Sequence, residues 1–391
     1  MTETRTRRPL RLLTIAHSYC VALNRRLAHE MARAGAGEWE VTAVAPSFFH
    51  GDLRAVALER FDDEICSLEA VPAYFSKRIH MMLYGHRLRE IMRQPWDMVH
   101  CWEEPFVLAG GQIARWTPKD AALVFATFQN IPKRYPPPFN WIERYSMKQA
   151  TGWIAFGQTI DQALSKRDSY LARRRRLIPL GVDTDHFYPS PEAGEKTLLR
   201  LGWDAQGPPV IGFLGRFVPE KGLDLLTRVL DRLSSPHRVL FVGSGPMEKR
   251  LRDWAKLHDD RVRVVTGVKH SEVPAYLNAM DALCAPSRTM PNWREQLGRM
   301  LIEAFACGVP VVASDSGEIP YVVEDAGLVL SETDEDAWVS ALNELLEDAP
   351  RRAELSKRGL ERARTTYAWP VIARRHLDFF DELLDSKRPA Q

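Results

Sequence analysis

The sequence predicts an α/β protein built from two doubly wound Rossmann-like domains facing a central cleft. Three observations carry that reading. The chain has 391 residues, more than one hydrophobic core usually supports. Short Val/Ile/Ala-rich runs alternate with segments of helical periodicity in both halves. Between the halves, after Arg173, Arg174, Arg175 and Arg176, runs LIPLGVDTDHFYPSPEAGE, whose Gly and Pro content reads as an interdomain linker.

In the first half the strand candidates are LRLLTIA (10–16), WEVTAVA (39–45), WDMVHCW (96–102), AALVFATF (121–128) and GWIAF (152–156). In the second they are PVIGFLG (209–215), RVLFVG (238–243), VRVVTG (262–267), ALCAP (282–286) and VPVVAS (309–314). None shows clean polar alternation, as expected of parallel strands covered by helices on both faces. The segments LDLLTRVLDRL (223–233) and LIEAFAC (301–307) carry the helical period. Beyond the second domain, YAWPVIARRHLDFFDELL (367–384) predicts a packing helix that crosses back to the first. The expected domains are 1–188 and 189–366, with the terminal helix in 367–391. Ligands of such sheets sit outside the carboxyl ends of the strands, so the loops there hold the candidates.

Composition excludes several classes. A net charge of +2 and the absence of a recognition motif give no reason to expect nucleic acid as a partner. That total hides an asymmetry: residues 1–180 hold 26 Lys+Arg against 18 Asp+Glu, and the remainder 27 against 33. No apolar run has the length of a membrane span, and the N-terminus lacks the apolar stretch of a signal peptide. The five cysteines are scattered and never paired as CxxC, which predicts a reduced, cytoplasmic protein without a disulfide or zinc framework.

The loops then supply chemistry. After the first strand comes His17-Ser18-Tyr19-Cys20-Val21-Ala22, with no glycine where a dinucleotide site carries GxGxxG. In the second domain, strand PVIGFLG ends on Gly215 and is followed by Arg216, then Lys221-Gly222 and a helix. An Arg fork and a Lys point charge at that spacing can hold a diphosphate; two solvated surface residues would have the same spacing. A helix predicted to start near Gly298 offers free N–H groups of Gly298, Arg299 and Met300 to an anion. Glu303, in its second turn, can accept hydrogen bonds from ribose hydroxyls. Glu295, eight residues earlier, lies too far from it to form a catalytic carboxylate pair, being about 12 Å away at helical spacing. A glutamate on an amphipathic helix is more often merely solvated.

GRFVPEKG (215–222), Glu295-x7-Glu303, EAFACGVPVVASDSGEIPYVV (303–323), VGSGP (242–246), TGVKHSEVPAYLNAMDALCAPS (266–287) and IPLGVDTDHFYP (178–189) resemble, in order and spacing, the retaining glycosyltransferases of family 4 (glycosyltransferase group 1), which have the GT-B fold. The resemblance implies transfer of a hexose from a nucleoside diphosphate sugar to an acceptor hydroxyl, with no cofactor or metal. It implies Arg216 and Lys221 on the donor diphosphate, Glu303 on the ribose, Glu295 on the transferred sugar, and the amides of 298–300 on the phosphates. By the same resemblance Arg216, Lys221 and Glu295 are the catalytic set.

Two departures stand out. The glycine-rich loop many members carry after the first strand is here HSYCVALN, and the histidine many carry near the sugar is replaced by Gln129 in FATFQN. His17, His100 and Gln129 are thus the candidate acceptor or sugar contacts, with a structural role the favoured reading of His100. Asp183-Thr184-Asp185 imitates the metal-binding DxD of another glycosyltransferase fold but lies in the linker. The basic, aromatic segment AYFSKRIHMMLYGHRLREIMRQP (73–95) and Arg173–Arg176 suggest peripheral contact with an anionic membrane on its inner face, and so a glycan or lipid-linked acceptor; a core-packed helix with a basic outer face is the competing reading. A nucleotide-sugar epimerase on the same fold and a catalytically inactive nucleotide-sugar-binding protein are the alternatives.

Overall fold

The computed structural model describes residues 8–50 and 55–387. By its contacts the chain divides into Met1–Pro179 with Trp369–Gln391, and Leu180–Ala368. Residues 180–188 therefore belong with the second unit, and the terminal helix with the first.

The first unit is built on a seven-stranded sheet. Its order, edge to edge, is Arg174–Leu177, Gly152–Ala155, Ala122–Thr127, Met98–Cys101, Leu10–Ile15, Trp39–Pro46, Ser67–Val71. All its pairings are parallel, for example Leu12 opposite Met98 and Val41. The second unit has a six-stranded parallel sheet in the order Val262–Val265, Arg238–Ser244, Val210–Arg216, Ala282–Ala285, Val311–Ser314, Leu328–Leu330. Successive residues of its strand Arg238–Ser244 point to opposite faces. Leu240 and Val242 join a core with the helix Arg299–Ala306, while Val239 and Phe241 join another with Leu225, Leu226 and Trp338. Each sheet reverses its winding once: between Leu10–Ile15 and Met98–Cys101 in the first unit, and between Val210–Arg216 and Ala282–Ala285 in the second. Those are the switch points where a doubly wound sheet opens a crevice for ligand.

In the two main sheets, sequence reasoning passed over three strands. Ser67–Val71 and Leu328–Leu330 are short sheet edges, and Arg174–Leu177 is the arginine run leading into the expected linker. Three side chains of the arginine run have partners within the first unit. Arg175 pairs with Asp161 at 2.6 Å, Arg176 pairs with Glu382 and stacks on Phe379, and Arg173 binds the Lys148 carbonyl. The segment 73–95 is not one helix. It forms a two-residue hairpin, Ala73–Tyr74 against Leu83–Tyr84, a 3-10 turn Ile79–Met81 and a helix His86–Met92.

The terminal helix Trp369–Lys387 packs on Arg26–Ala34 and buries Ile372, His376, Leu377, Phe380 and Leu383. Arg374 reaches the Ala34 carbonyl, Arg375 that of Leu177 and Lys387 that of Ala121. Among the described residues no helix is long and apolar enough to cross a membrane.

Candidate functional site

The switch point of the second unit gathers the predicted donor residues. Next to the end of strand Val210–Arg216, Gly215 at φ 153° pairs with Gly243. A Cβ on Gly243 would stand 1.8 Å from the Gly215 carbonyl, so only glycine lets these strand ends approach. The chain then makes a 3-10 turn, Pro219–Lys221, and Gly222 at φ 70° starts the helix Leu223–Leu230. This turns Lys221 inward, 9% exposed, whereas Arg216 stays in solvent 3.6 Å from Glu220.

Lys221 Nζ pairs with Glu295 Oε2, and the Ser287 hydroxyl donates to the same oxygen at 2.8 Å. The ammonium also lies 5.1 Å from the centre of the Trp293 ring, a cation–π contact. Gly317 allows this loop to close, since a Cβ there would lie 2.2 Å from the Glu295 carbonyl. Gly298, at φ 74°, caps the helix Arg299–Ala306, whose first turn contains Arg299 and the buried Met300. Glu303 is buried on that helix, and its Oε1 lies 3.1 Å from His270 Nε2. His270 in turn packs edge-on against Phe187 with ring centres 5.3 Å apart.

The geometry thus separates the two glutamates by role. Glu295 pairs with the buried Lys221 at the strand ends, and Glu303 is oriented by a histidine. Ser287, Trp293 and His270 were not singled out from sequence. Ser287 was findable, because it follows Ala282–Ala285, the strand across the switch point from Val210–Arg216.

The switch point of the first unit brings together His17 and Glu103, residues that follow Leu10–Ile15 and Met98–Cys101. His17 donates its backbone N–H to Glu103 Oε1 at 2.6 Å, and its Nδ1 lies 2.7 Å from Oε2. Tyr84 hydroxyl donates to Oε1 at 2.6 Å. Burial alone pushes the Glu103 carboxyl up, but the His17 ring and these hydrogen bonds outweigh it and hold the group below the usual carboxylate range. An ionised carboxylate only accepts, so Nδ1 carries the proton and donates. The glycine-free loop folds over Arg25, which is fully buried, pairs with Glu64 at 2.6 Å and binds the carbonyls of Tyr19 and Glu59.

His100 does not reach this site. It is wholly buried, 3.2 Å from the Thr14 hydroxyl, within hydrogen-bond reach of Trp102 Nε1 and against the rings of His376 and Phe380. Burial, with His376 beside it, pushes its imidazole well below the ordinary range and keeps it neutral. The expectation of a cleft-facing role is corrected: His100, three residues before Glu103 and still within the strand Met98–Cys101, points into the core. Gln129 is buried beyond strand Ala122–Thr127, its Nε2 3.4 Å from the Ile131 carbonyl and its Oε1 without a partner among the described residues. Asp183 Oδ1 accepts the backbone N–H of Asp185 and of His186, a turn-capping use of the DxD tripeptide. Among the described residues no cluster of His, Cys, Asp or Glu has the arrangement of a metal site.

A family model described as glycosyl transferases group 1 matches residues 203–362, and one described as glycosyltransferase family 4 matches residues 23–186. The chain is 37% identical over 223 residues to a GDP-mannose-dependent alpha-(1-6)-phosphatidylinositol monomannoside mannosyltransferase of Mycolicibacterium smegmatis, covering 55% of this chain and 57% of that protein. It is 33% identical over 213 residues to a D-inositol 3-phosphate glycosyltransferase of Stackebrandtia nassauensis, covering 50% and 46%. The chain spans about half the length of these curated relatives. Among solved structures, sucrose-phosphate synthase from Thermosynechococcus elongatus superposes with a TM-score of 0.72 at 21% identity, covering 97% of this chain and 100% of that one. A glycosyltransferase from Rickettsia africae reaches 0.76 at 16% identity, with the same coverage. The two family models together account for most of the sequence, and the chain belongs to the group 1 glycosyltransferases with the GT-B fold.

Proposed function

We propose that the protein transfers a hexose from a nucleoside diphosphate sugar to an acceptor hydroxyl of a glycolipid or cell-envelope glycan, with retention at the anomeric carbon and without a metal. The observation that carries this reading is the buried Lys221–Glu295 pair at the strand ends, beside Arg216 and the start of helix Arg299–Ala306. The bond to be broken joins the anomeric carbon to a diphosphate, so catalysis needs charge stabilisation on the leaving group. Arg216, Lys221 and the helix N-terminus supply it, preorganised by the glycine turns at 215, 222 and 298. Glu303, oriented by His270, takes the ribose hydroxyls, and Glu295 the sugar. His17 on Glu103, with Gln129, faces the acceptor. The relatives named for GDP-mannose and phosphatidylinositol mannosides support a mannosyl donor and a lipid-linked acceptor, and hence a peripheral place on the inner membrane face.

The test is a panel of GDP-, UDP- and ADP-sugars read by thermal shift and then by transfer, with the product anomer assigned by NMR. Lys221→Ala and Glu303→Ala are expected to abolish donor binding. Loss of a single charge contact to the leaving group raises the barrier by about 3–4 kcal/mol. Unchanged donor binding in both variants refutes the site.

A further inference from the structure

The proposed transfer leaves one charged feature of the first unit unused. A depression of about 850 Å³ is lined by Lys133, Arg134, Arg144, Lys166 and Arg167 against Glu143 and Asp168. Arg167 belongs to its floor. It donates to Glu143 Oε1 at 2.6 Å and to the Lys133 carbonyl, and Tyr170 donates to the same carboxylate oxygen at 3.1 Å. These bonds tie the loop 131–138 to the helix Phe139–Gln149 and neutralise the base of the depression. The other four cations are exposed, and among the described residues none has a carboxylate within ion-pair distance. Other surface arginines of this chain do find acids, as Arg8 does Asp97 and Arg228 does Glu335. With Glu143 taken up by Arg167, four like charges face the single carboxylate of Asp168, an excess that favours an anion.

The helix beside them selects which anion. Its inner side buries Glu143, Ser146 and Met147. Its outer side carries Trp141, 62% exposed, and Tyr145, 38% exposed, one turn apart, interleaved with Arg144 and Lys148. The two aromatic rings also line an apolar groove of about 600 Å³ with Leu83, Leu108, Pro138 and Ile142. A free phosphate uses the cations and has no use for exposed rings or an apolar groove. An amphiphile uses both: phosphate on the cations, aromatic rings at the headgroup level, hydrocarbon along the groove.

The geometry points to a lipid-phosphate site: the face of helix Phe139–Gln149 with its flanking depression and groove binds the headgroups of an anionic phospholipid bilayer. It deepens the acceptor half of the proposed function, resting on it only in that the acceptor is lipid-linked. It also moves the expected membrane contact away from Arg173–Arg176, which are largely engaged within the fold.

The test uses the full chain and reads binding, not transfer. The probes are vesicles of phosphatidylcholine alone, vesicles with about a third phosphatidylglycerol, and inorganic phosphate. The protein is expected to float with the anionic vesicles only, and less as salt rises. Each cation near such a surface contributes about fivefold, so Arg134→Ala/Arg144→Ala/Lys166→Ala lowers partition on the order of 100-fold. Trp141→Ala lowers it further in the wild-type charge background. Circular dichroism and donor-nucleotide binding, unchanged in all variants, control for folding and separate this inference from the transfer reading. Equal flotation with neutral vesicles, unaltered partition of the triple variant, or binding of inorganic phosphate with no flotation each overturns it. Flotation by a protein that binds no nucleotide sugar would sink the transfer reading and leave this one standing.

Discussion

At the scale of single residues, the chemistry rests on how burial and partners set charge. Lys221 is nearly buried, its Nζ against Glu295 Oε2 and over the Trp293 ring, while the Ser287 hydroxyl donates to the same carboxylate oxygen. On the proposed function, a donor diphosphate at that position would meet an ammonium already fixed by its neighbours, which is the preorganised condition for stabilising a leaving group. Glu104 shows the opposite balance. Burial pushes its carboxyl up to about 7, despite hydrogen bonds from the Phe128 N–H at 2.8 Å and the Thr127 hydroxyl at 2.7 Å. The folded protein therefore keeps a proton that the unfolded chain loses near 4.5. The stability tied to that proton is whole below about 4.5 and is lost as pH rises through about 7. Its size is at most about 3 kcal/mol. Glu104→Gln keeps an acceptor for the Phe128 N–H and removes the titration. Urea unfolding of both proteins at pH 5 and pH 8 is expected to show wild type losing more stability than the variant over that interval. Parallel pH dependence of the two would disprove the assignment.

At the scale of elements, glycines decide where the loops go. Gly222 lies at φ 70°, and a Cβ there would stand 1.7 Å from the Pro286 carbonyl, at the end of strand Ala282–Ala285. That contact locks the Lys221 turn against the neighbouring strand across the switch point. Gly222→Ala is expected to cost several kcal/mol, through strain at positive φ and the forced separation of the two segments. Donor binding should fall with it, measured by calorimetry on whatever fraction stays folded. Wild-type affinity in a folded variant would show that the contact does not position Lys221. The same elements show what was legible in the sequence. Val- and Ile-rich strands such as Val210–Arg216 and Val311–Ser314 announced themselves because a strand covered on both faces must be apolar throughout. The edge strand Arg174–Leu177 did not, since one side meets water and its arginines read as a linker. The neighbourhood of Lys221 and Glu295 was legible from loop position, since both follow strands that meet at the switch point. His270 was not, because it comes from a distant loop and only the fold brings it to Glu303. His100 misled for the reverse reason: polarity at a strand end looked functional, whereas Thr14, Trp102 and His376 absorb it.

At the scale of the molecule, the order of elements along the chain differs from their order in space. The last helix belongs to the first unit, so the chain must complete the second unit before the first has all its core. Phe380 shows how much that core depends on the final segment. It is fully buried, with ring centres 6.2 Å from Trp39, 5.2 Å from His100 and 6.0 Å from His376. Leu383 and Leu377 are buried along the same helix. Polar bonds add reach rather than energy: the exposed Arg176–Glu382 pair contributes less than about 1 kcal/mol. Phe380→Ala removes an aromatic ring from a closed site and is expected to cost about 3–5 kcal/mol. Because the second unit has its own two core layers, that loss belongs to the first unit alone. Equilibrium unfolding in urea, followed with and without added GDP or UDP, separates the two. The transition that nucleotide raises is expected to keep its midpoint in the variant, while the other moves to lower urea. A common shift of both transitions, or no shift of either, would mean that the terminal helix does not complete the first unit's core in the way its packing indicates.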